Sequence, residues 1–380
     1  MKVVTTILLL TVCSLLALGM VMLYSSAAAK EGTHLLRMQS IWCGAGLIAA
    51  VVLARIDYQL FKKLAWIMLA IAIILLILVL IPGIGVRRGG SRRWFSIGFA
   101  LFQPSELAKL CLIIALAAYA DRFQRHMSKF GKGLIIPGLF IGLVVGLIFV
   151  EPDRGSSALI AAVCGVMLVV AGVKLRHLIP IGTLGLALFV FSLLNDPVRG
   201  SRIHSWLNQE ETRAKTGYQG WQAMLAFGSG GTTGLGLGNG RQKLGFVPEG
   251  HTDFILSVVG EELGLVATVG VVAGFLVILI CGVFIALRAR DTFGYMLATG
   301  ITFLISLQAF INIGVVTGAL PNKGLALPFI SYGGSSLLMM LSCVGVLFNI
   351  AAQSGADHDE SESDNLPSHK PTLSSFELSA

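Results

Sequence analysis

The sequence predicts an all-α polytopic membrane protein, a bundle of about ten transmembrane helices with one large loop between the seventh and eighth. Three observations carry that reading. Hydrophobic residues make up 55% of the 380 and charged residues only 13%, about half the charge that a soluble domain of this size needs on its surface. Ten apolar runs are long enough to cross ~30 Å of hydrocarbon, which takes about 20 residues. Every second loop between them is basic, as the positive-inside rule requires.

The runs are 4–26, 38–55, 64–82, 104–120, 134–150, 155–173, 177–194, 255–287, 294–316 and 328–350. The first ends in Ser25-Ser26-Ala27-Ala28-Ala29, which has the look of a signal-peptide cleavage site. Its apolar stretch is longer than a signal h-region and only one lysine precedes it, so it reads as a retained helix. The fourth run opens at Pro104, a natural helix start. The eighth is too long for one simple crossing, so its first turns stand outside the membrane or tilt. The last is approached through Leu327-Pro328-Phe329-Ile330-Ser331-Tyr332-Gly333-Gly334, a broken backbone tolerated at that depth only under cover of protein or a water-filled cavity. All six cysteines lie inside apolar stretches with no CxxC pair, which supports neither a disulfide framework nor a zinc site.

With the N-terminus in the cytoplasm, the inner loops carry Arg55, Lys62 and Lys63, then Arg122, Arg125, Lys129 and Lys132, then Lys174 with Arg176 and Arg288 with Arg290. An even number of crossings keeps the C-terminus on the same side. The segment 353–380 is polar, acidic and Ser-rich and is expected to be a disordered cytoplasmic tail. Without it, residues 1–352 hold 27 basic and 14 acidic residues. Much of the surplus falls in the two outer loops, 83–103 and 195–254, where the positive-inside rule gives no reason for it. Arg87, Arg88, Arg92 and Arg93 cluster in one; Arg199, Arg202, Arg213, Lys215, Arg241 and Lys243 lie in the other. Cations there ask for an anionic partner: lipid headgroups in general or, for Arg92-Arg93 beside Trp94, a specific phosphate.

The glycines of 228–240 are not a nucleotide loop, since no Gly-Lys-Ser/Thr and no preceding strand accompany them. They read as tight turns and close backbone approach. Val247–Phe254 then runs into the eighth span and sets Asp253 at the membrane boundary, with Glu249 behind it and Glu261 and Glu262 two turns ahead. Such an acid can simply favour the helix dipole. It can also serve as a general base, or the oxygen cluster can hold a hard divalent cation, magnesium or manganese. Glu106 and Lys109 share a helix face at i, i+3, and a structural network joining Lys109 to Glu106 or Asp153 competes with a direct chemical role. Nothing in the chain suggests nucleic acid.

Several segments together resemble the SEDS family of polytopic cell-wall proteins. They are Gly90-Ser91-Arg92-Arg93-Trp94, QPSELAK at 103–109, Glu151-Pro152-Asp153, GSGG at 228–231, GLGLGNGRQKL at 234–244, PEGHTDF at 248–254, GEELG at 260–264 and LPFISYGGSS at 327–336. The resemblance covers nearly all of 1–352. It implies a ten-helix fold in the bacterial inner membrane and peptidoglycan glycosyltransferase activity on lipid II at the outer leaflet. It also implies a class B penicillin-binding transpeptidase and other division-complex membrane proteins as partners. Asp253 occupies the family's catalytic position. Arg92, Arg93, Arg241, Lys243 and Lys323 are then expected at the lipid II pyrophosphate, with Glu106, Lys109, Asp153, Glu249, Glu261 and Glu262 in support. Lys323 favours the division branch over the rod-shape branch and hence a septal location. One departure stands out: Gly245 replaces the Glu that many relatives carry eight residues before the Asp. A lipid II flippase and a non-catalytic scaffold for the transpeptidase are the two rival functions.

Overall fold

The computed structural model describes residues 1–27, 33–88, 91–98, 100–244 and 250–364. Helices α1 (Lys2–Ala27), α2 (His34–Arg55) and α3 (Gln59–Leu80) come first. A three-stranded antiparallel sheet follows, β1 (Val86–Arg88), β2 (Ser91–Ile97) and β3 (Ala100–Phe102), in that order. Then come α4 (Pro104–Arg122), α5 (Ile136–Val150), α6 (Arg154–Val170) and α7 (Leu175–Leu194). The large loop holds three further helices, α8 (Pro197–Leu207), α9 (Gln209–Thr212) and α10 (Tyr218–Gly230). The chain closes with α11 (Ile255–Leu287), α12 (Thr292–Val316) and α13 (Gly334–Asp364).

Each of the ten apolar runs is a helix. Eight are long and apolar enough to cross a membrane; α6 is shorter, and α4 carries Glu106, Lys109, Asp121 and Arg122. The polarity of α4 has a place to go. From Pro104 to Ala120 every residue but Leu107 is buried, against α3, α12, α6, α13 and α5, so α4 meets protein rather than lipid. At the other extreme α7 buries no residue at all. Small residues let the other helices close up: a Cβ on Gly345 of α13 would run into the backbone of Ala50 in α2.

Three features differ from the sequence expectation in detail. The 83–103 loop contains the sheet, whose strands of three, seven and three residues are too short and too Arg-rich to show alternation. The helix α13 continues to Asp364, past Gln353 where the tail was expected to become disordered; no Pro or β-branched residue interrupts that stretch. Residues 365–380 lie outside the described residues. Finally, the long eighth run, expected to stand partly outside the membrane or to tilt, is not one continuous helix. It breaks at Gly264, with φ 76° and ψ −171°.

That break is filled by the glycine loop behind α10. The N–H groups of Leu235 and Gly236 donate to the Glu261 and Glu262 carbonyls, both at 2.9 Å. Beyond the break, Leu265 N–H donates to Gly231 O (2.9 Å) and Val266 N–H to Thr232 O (3.3 Å). The loop thus takes up backbone groups that a broken helix would otherwise leave unpaired in an apolar setting. No side chain fits between: a Cβ on Gly264 would stand 2.6 Å from the Thr233 carbonyl carbon.

Candidate active site

Asp253 sits, half-buried, on the turn that leads into α11. Its backbone is fastened from two sides. Asn312 Nδ2 of α12 donates to the Asp253 carbonyl (2.8 Å) and to the Leu325 carbonyl (2.6 Å). Ser331 Oγ donates to Thr252 O (2.6 Å) and accepts from Leu327 N–H (2.8 Å), while Tyr332 N–H donates to His251 O (3.0 Å). The broken approach to α13 is therefore the wall against which the Asp253 turn is set, and Phe329 within it takes a positive φ of 66°. The carboxylate faces Gly324: a Cβ there would lie 2.8 Å from Asp253 Oδ2. The neighbouring Lys323 ammonium rests 5.3 Å from the centre of the Phe189 ring on α7. Burial holds its pKa below the ordinary lysine value.

The arginines of the sheet sit against the turn between α5 and α6. Arg93 gives Nε to the Glu151 carbonyl (2.8 Å) and one Nη to the Pro152 carbonyl (2.6 Å). Arg92 lies directly across the strands from Arg87, a like-charged pair that disfavours the sheet unless an anion intervenes. Both line a cleft of about 300 Å³ with Leu80, Ser91, Val150, Glu151 and Pro152. Glu151 itself is 0% exposed, with no hydrogen-bond partner among the described residues on either carboxyl oxygen. Burial first, and the nearby Asp153 second, push its pKa up to about 8 against the opposing pull of Arg93.

The remaining acids divide by partner. Lys109, 1% exposed, pairs with Glu106 (2.8 Å) and donates to Gln308 Oε1 (3.2 Å). Asp153 instead caps α6, accepting from Ser156 N–H (3.1 Å), Ser156 Oγ (2.9 Å) and Gln103 Nε2 (3.2 Å). Glu261 accepts from the N–H groups of Arg241 (2.8 Å) and Gln242. Glu262, 0% exposed, accepts from Lys243 Nζ (2.6 Å), Ser25 Oγ of α1 (2.6 and 2.8 Å) and Gly238 N–H (3.1 Å). Lys243 is thus committed to a buried ion pair, whereas the Arg241 side chain is exposed. Glu249 lies outside the described residues. Among the described residues no three His, Cys, Asp or Glu side chains stand close enough to hold a metal ion.

The structure therefore brings Asp253, Gly324 and Lys323 together, and separately joins Arg92 and Arg93 to the 151–152 turn. Glu261, Glu262 and Lys243 serve the glycine loop. Sequence reasoning passed over Gln308 and Asn312, although two amides one turn apart inside an apolar run are a readable signal. It also passed over Ser25, whose partner lies 237 residues away.

The sequence pattern of the FtsW–RodA–SpoVE family, described as cell cycle proteins, matches residues 5–356. A protein of Geobacter metallireducens named "Probable peptidoglycan glycosyltransferase FtsW" is 43% identical over 354 residues, 91% of this chain and 94% of the relative. Stage V sporulation protein E of Bacillus subtilis is 40% identical over 359 residues, 93% of this chain and 96% of the relative. A solved chain described under "Structural coordination of polymerization and crosslinking by a peptidoglycan synthase complex" superposes with a TM-score of 0.78 at 30% identity, covering 91% of this chain and 97% of that one. Pattern, relatives and fold all span nearly the whole sequence, and the chain belongs to the FtsW–RodA–SpoVE family of cell cycle proteins, the SEDS family its motifs resemble.

Proposed function

We propose that this protein is a peptidoglycan glycosyltransferase that polymerises lipid II at the outer face of the cytoplasmic membrane, with Asp253 as general base. The observation that carries the reading is the placement of Asp253. Its carboxylate rests against a side-chain-free position, Gly324, on a backbone pinned by Asn312 and by the approach to α13. A helix-dipole acid would need no such wall.

The reaction follows from the substrate. A sugar hydroxyl of one lipid-linked saccharide attacks the anomeric carbon of another, and the C–O bond to pyrophosphate breaks. The hydroxyl is a weak nucleophile, so its proton passes to the Asp253 carboxylate as the new bond forms. An α-linked donor becomes a β-linked polymer by one inversion, so one displacement suffices. The leaving group is an undecaprenyl-anchored pyrophosphate, and fixed cations at headgroup depth stabilise the charge it gains. Arg92, Arg241 and Lys323 are assigned to that charge. Arg93 sets the turn beneath it and keeps its remaining N–H groups for the same purpose; Lys243 acts through Glu262.

The relatives' names support a role in septal wall synthesis, and the solved synthase complex supports a crosslinking transpeptidase as partner. Both termini are assigned to the cytoplasm, which places the 83–103 and 195–254 loops outside.

Asp253→Asn tests the reading. It keeps shape and hydrogen bonding and removes the proton acceptor, so polymer should fall by ~10²–10⁴-fold, with folding and lipid II binding intact. Normal product from the stable variant would sink the base. The assay runs on purified protein in detergent, where a transporter makes no polymer, and a chelator arm separates a cation-assisted Asp253 from an unassisted one.

A further inference from the structure

Gln308 and Asn312 stand one turn apart on α12, each 1% exposed in an otherwise apolar stretch. Buried amides are costly unless their groups are paired, and in a helix bundle the nearest partners are side chains of neighbouring helices. These two reach past the helices to loop backbone. Gln308 takes a hydrogen bond from Lys109 Nζ (3.2 Å) and gives one to the Ala326 carbonyl (2.9 Å). Asn312 gives both hydrogens of one nitrogen to carbonyls on different loops, Leu325 (2.6 Å) and Asp253 (2.8 Å).

The two carbonyls at 325 and 326 follow directly on Gly324, the position against which the Asp253 carboxylate rests. Lys109 is in turn held by Glu106 (2.8 Å). The ion pair in the central helix therefore connects through Gln308 to Ala326 and, by way of the adjoining Leu325 and Asn312, to the Asp253 carbonyl. The Asp253 backbone is fixed by Asn312, and the surface its carboxylate faces by Gln308 and Asn312 together.

We infer that Gln308 and Asn312 are positioning residues for the proposed base, registering the Asp253 turn against the 323–326 segment so that the carboxylate meets the acceptor hydroxyl. The inference rests on the reading of Asp253 as base. Misplacement of a reacting group by ~1 Å can cost about 100-fold in rate, whereas two amides that only glue helices would alter stability alone.

The test uses the full chain, with its transpeptidase partner if that is needed for activity, and measures kcat, KM for lipid II and melting temperature. Asn312→Ala and Gln308→Met remove the contacts. Gly324→Ala leaves both amides in place and pushes the carboxylate aside, a cheap move for a side-chain tip. The expected result is a kcat lowered about 10- to 100-fold with KM for lipid II near the parent value in all three. Gln308→Glu, which keeps the acceptor for Lys109 and loses the donor to Ala326, should stay as low as Gln308→Met. If Asn312→Ala retains kcat within about threefold, the inference is overturned, whatever its melting temperature. If that variant does not fold, Gly324→Ala decides, and full kcat there overturns it equally. Asp253→Asn runs alongside: an active Asp253→Asn removes the base itself, while an active Asn312→Ala beside an inactive Asp253→Asn removes only the positioning.

Discussion

Two carboxyls near this site differ in what surrounds them. Glu151 is buried beside the sheet, and Arg93 hydrogen-bonds to backbone carbonyls there rather than to its carboxyl oxygens. With its pKa raised from the ordinary 4.5 to about 8, the folded protein holds a proton that the unfolded chain releases between those values. Stability from this group is therefore full below pH 4.5 and is lost as pH rises through 8. Glu151→Gln should remove that loss. Its melting temperature relative to the parent should climb steadily from pH 5 to pH 8, and a constant difference would refute the shift. Glu262, by contrast, is paired with Lys243 as a buried ion pair. Glu262→Gln should cost about 3–5 kcal/mol by stranding the ammonium, and adding Lys243→Met should recover part of it, as measured by denaturation in detergent. The sequence made Lys243 look like one more headgroup cation because it lies among Arg199, Arg202, Arg213, Lys215 and Arg241 in the same expected outer loop. Only the fold shows Glu262 turning back on it. Asp253 was legible because a motif marks it, whereas Asn312 has no motif and becomes visible only when two loops converge on its amide.

At the scale of elements, the ten apolar runs were readable because hydrophobic length is a one-dimensional property. The break in α11 was half-readable. Its 33 residues exceed one crossing, about 50 Å at 1.5 Å per residue. The point of fracture was hidden among Gly260, Gly264, Gly270 and Gly274, which look alike in sequence. Geometry separates them. Gly264 holds a φ of 76° hard against the 232–234 backbone, whereas Gly270 has open space around its Cα. Gly264→Ala should lose at least about 1–3 kcal/mol from the backbone conformation alone, plus the collision. Gly270→Ala should be neutral or gain up to ~1 kcal/mol as an ordinary helix substitution. Equal melting temperatures for the two variants would contradict the break. The sheet was not legible for the converse reason: its order comes from pairing between strands and from Arg93 reaching the 151–152 turn, and no local pattern encodes either.

At the scale of the whole molecule, basic loops fix the expected orientation and the structure supplies sites that can check it. In a cysteine-free background, Lys215→Cys, exposed beyond α9, should label with an impermeant reagent, and Ser128→Cys, exposed between α4 and α5, should stay protected in intact cells. The reverse pattern would invert the assignment. The bundle is uneven: α4 is wrapped on all sides, while the contacts of α7 include His177 against Phe130, Phe189 against Phe149 and beneath Lys323, and Ser192 O against Arg154. Such gradation of burial was foreshadowed by the charges on α4 and had no counterpart in the sequence of α7.

The fracture at Gly264 also sets an order of events during synthesis. The glycine loop that supplies its hydrogen bonds precedes α11 in the chain, so a ribosome delivers the loop before the helix that needs it. When α11 enters the bilayer, the residues that carry the donors of Leu235 and Gly236 and the acceptors of Gly231 and Thr232 have already been made. A chain circularly permuted so that α11 emerged ahead of residues 231–239 would meet the hydrocarbon with no partner for its broken ladder. It would then cross as one uninterrupted helix, leaving the Asp253 turn displaced before the rest of the site had been made.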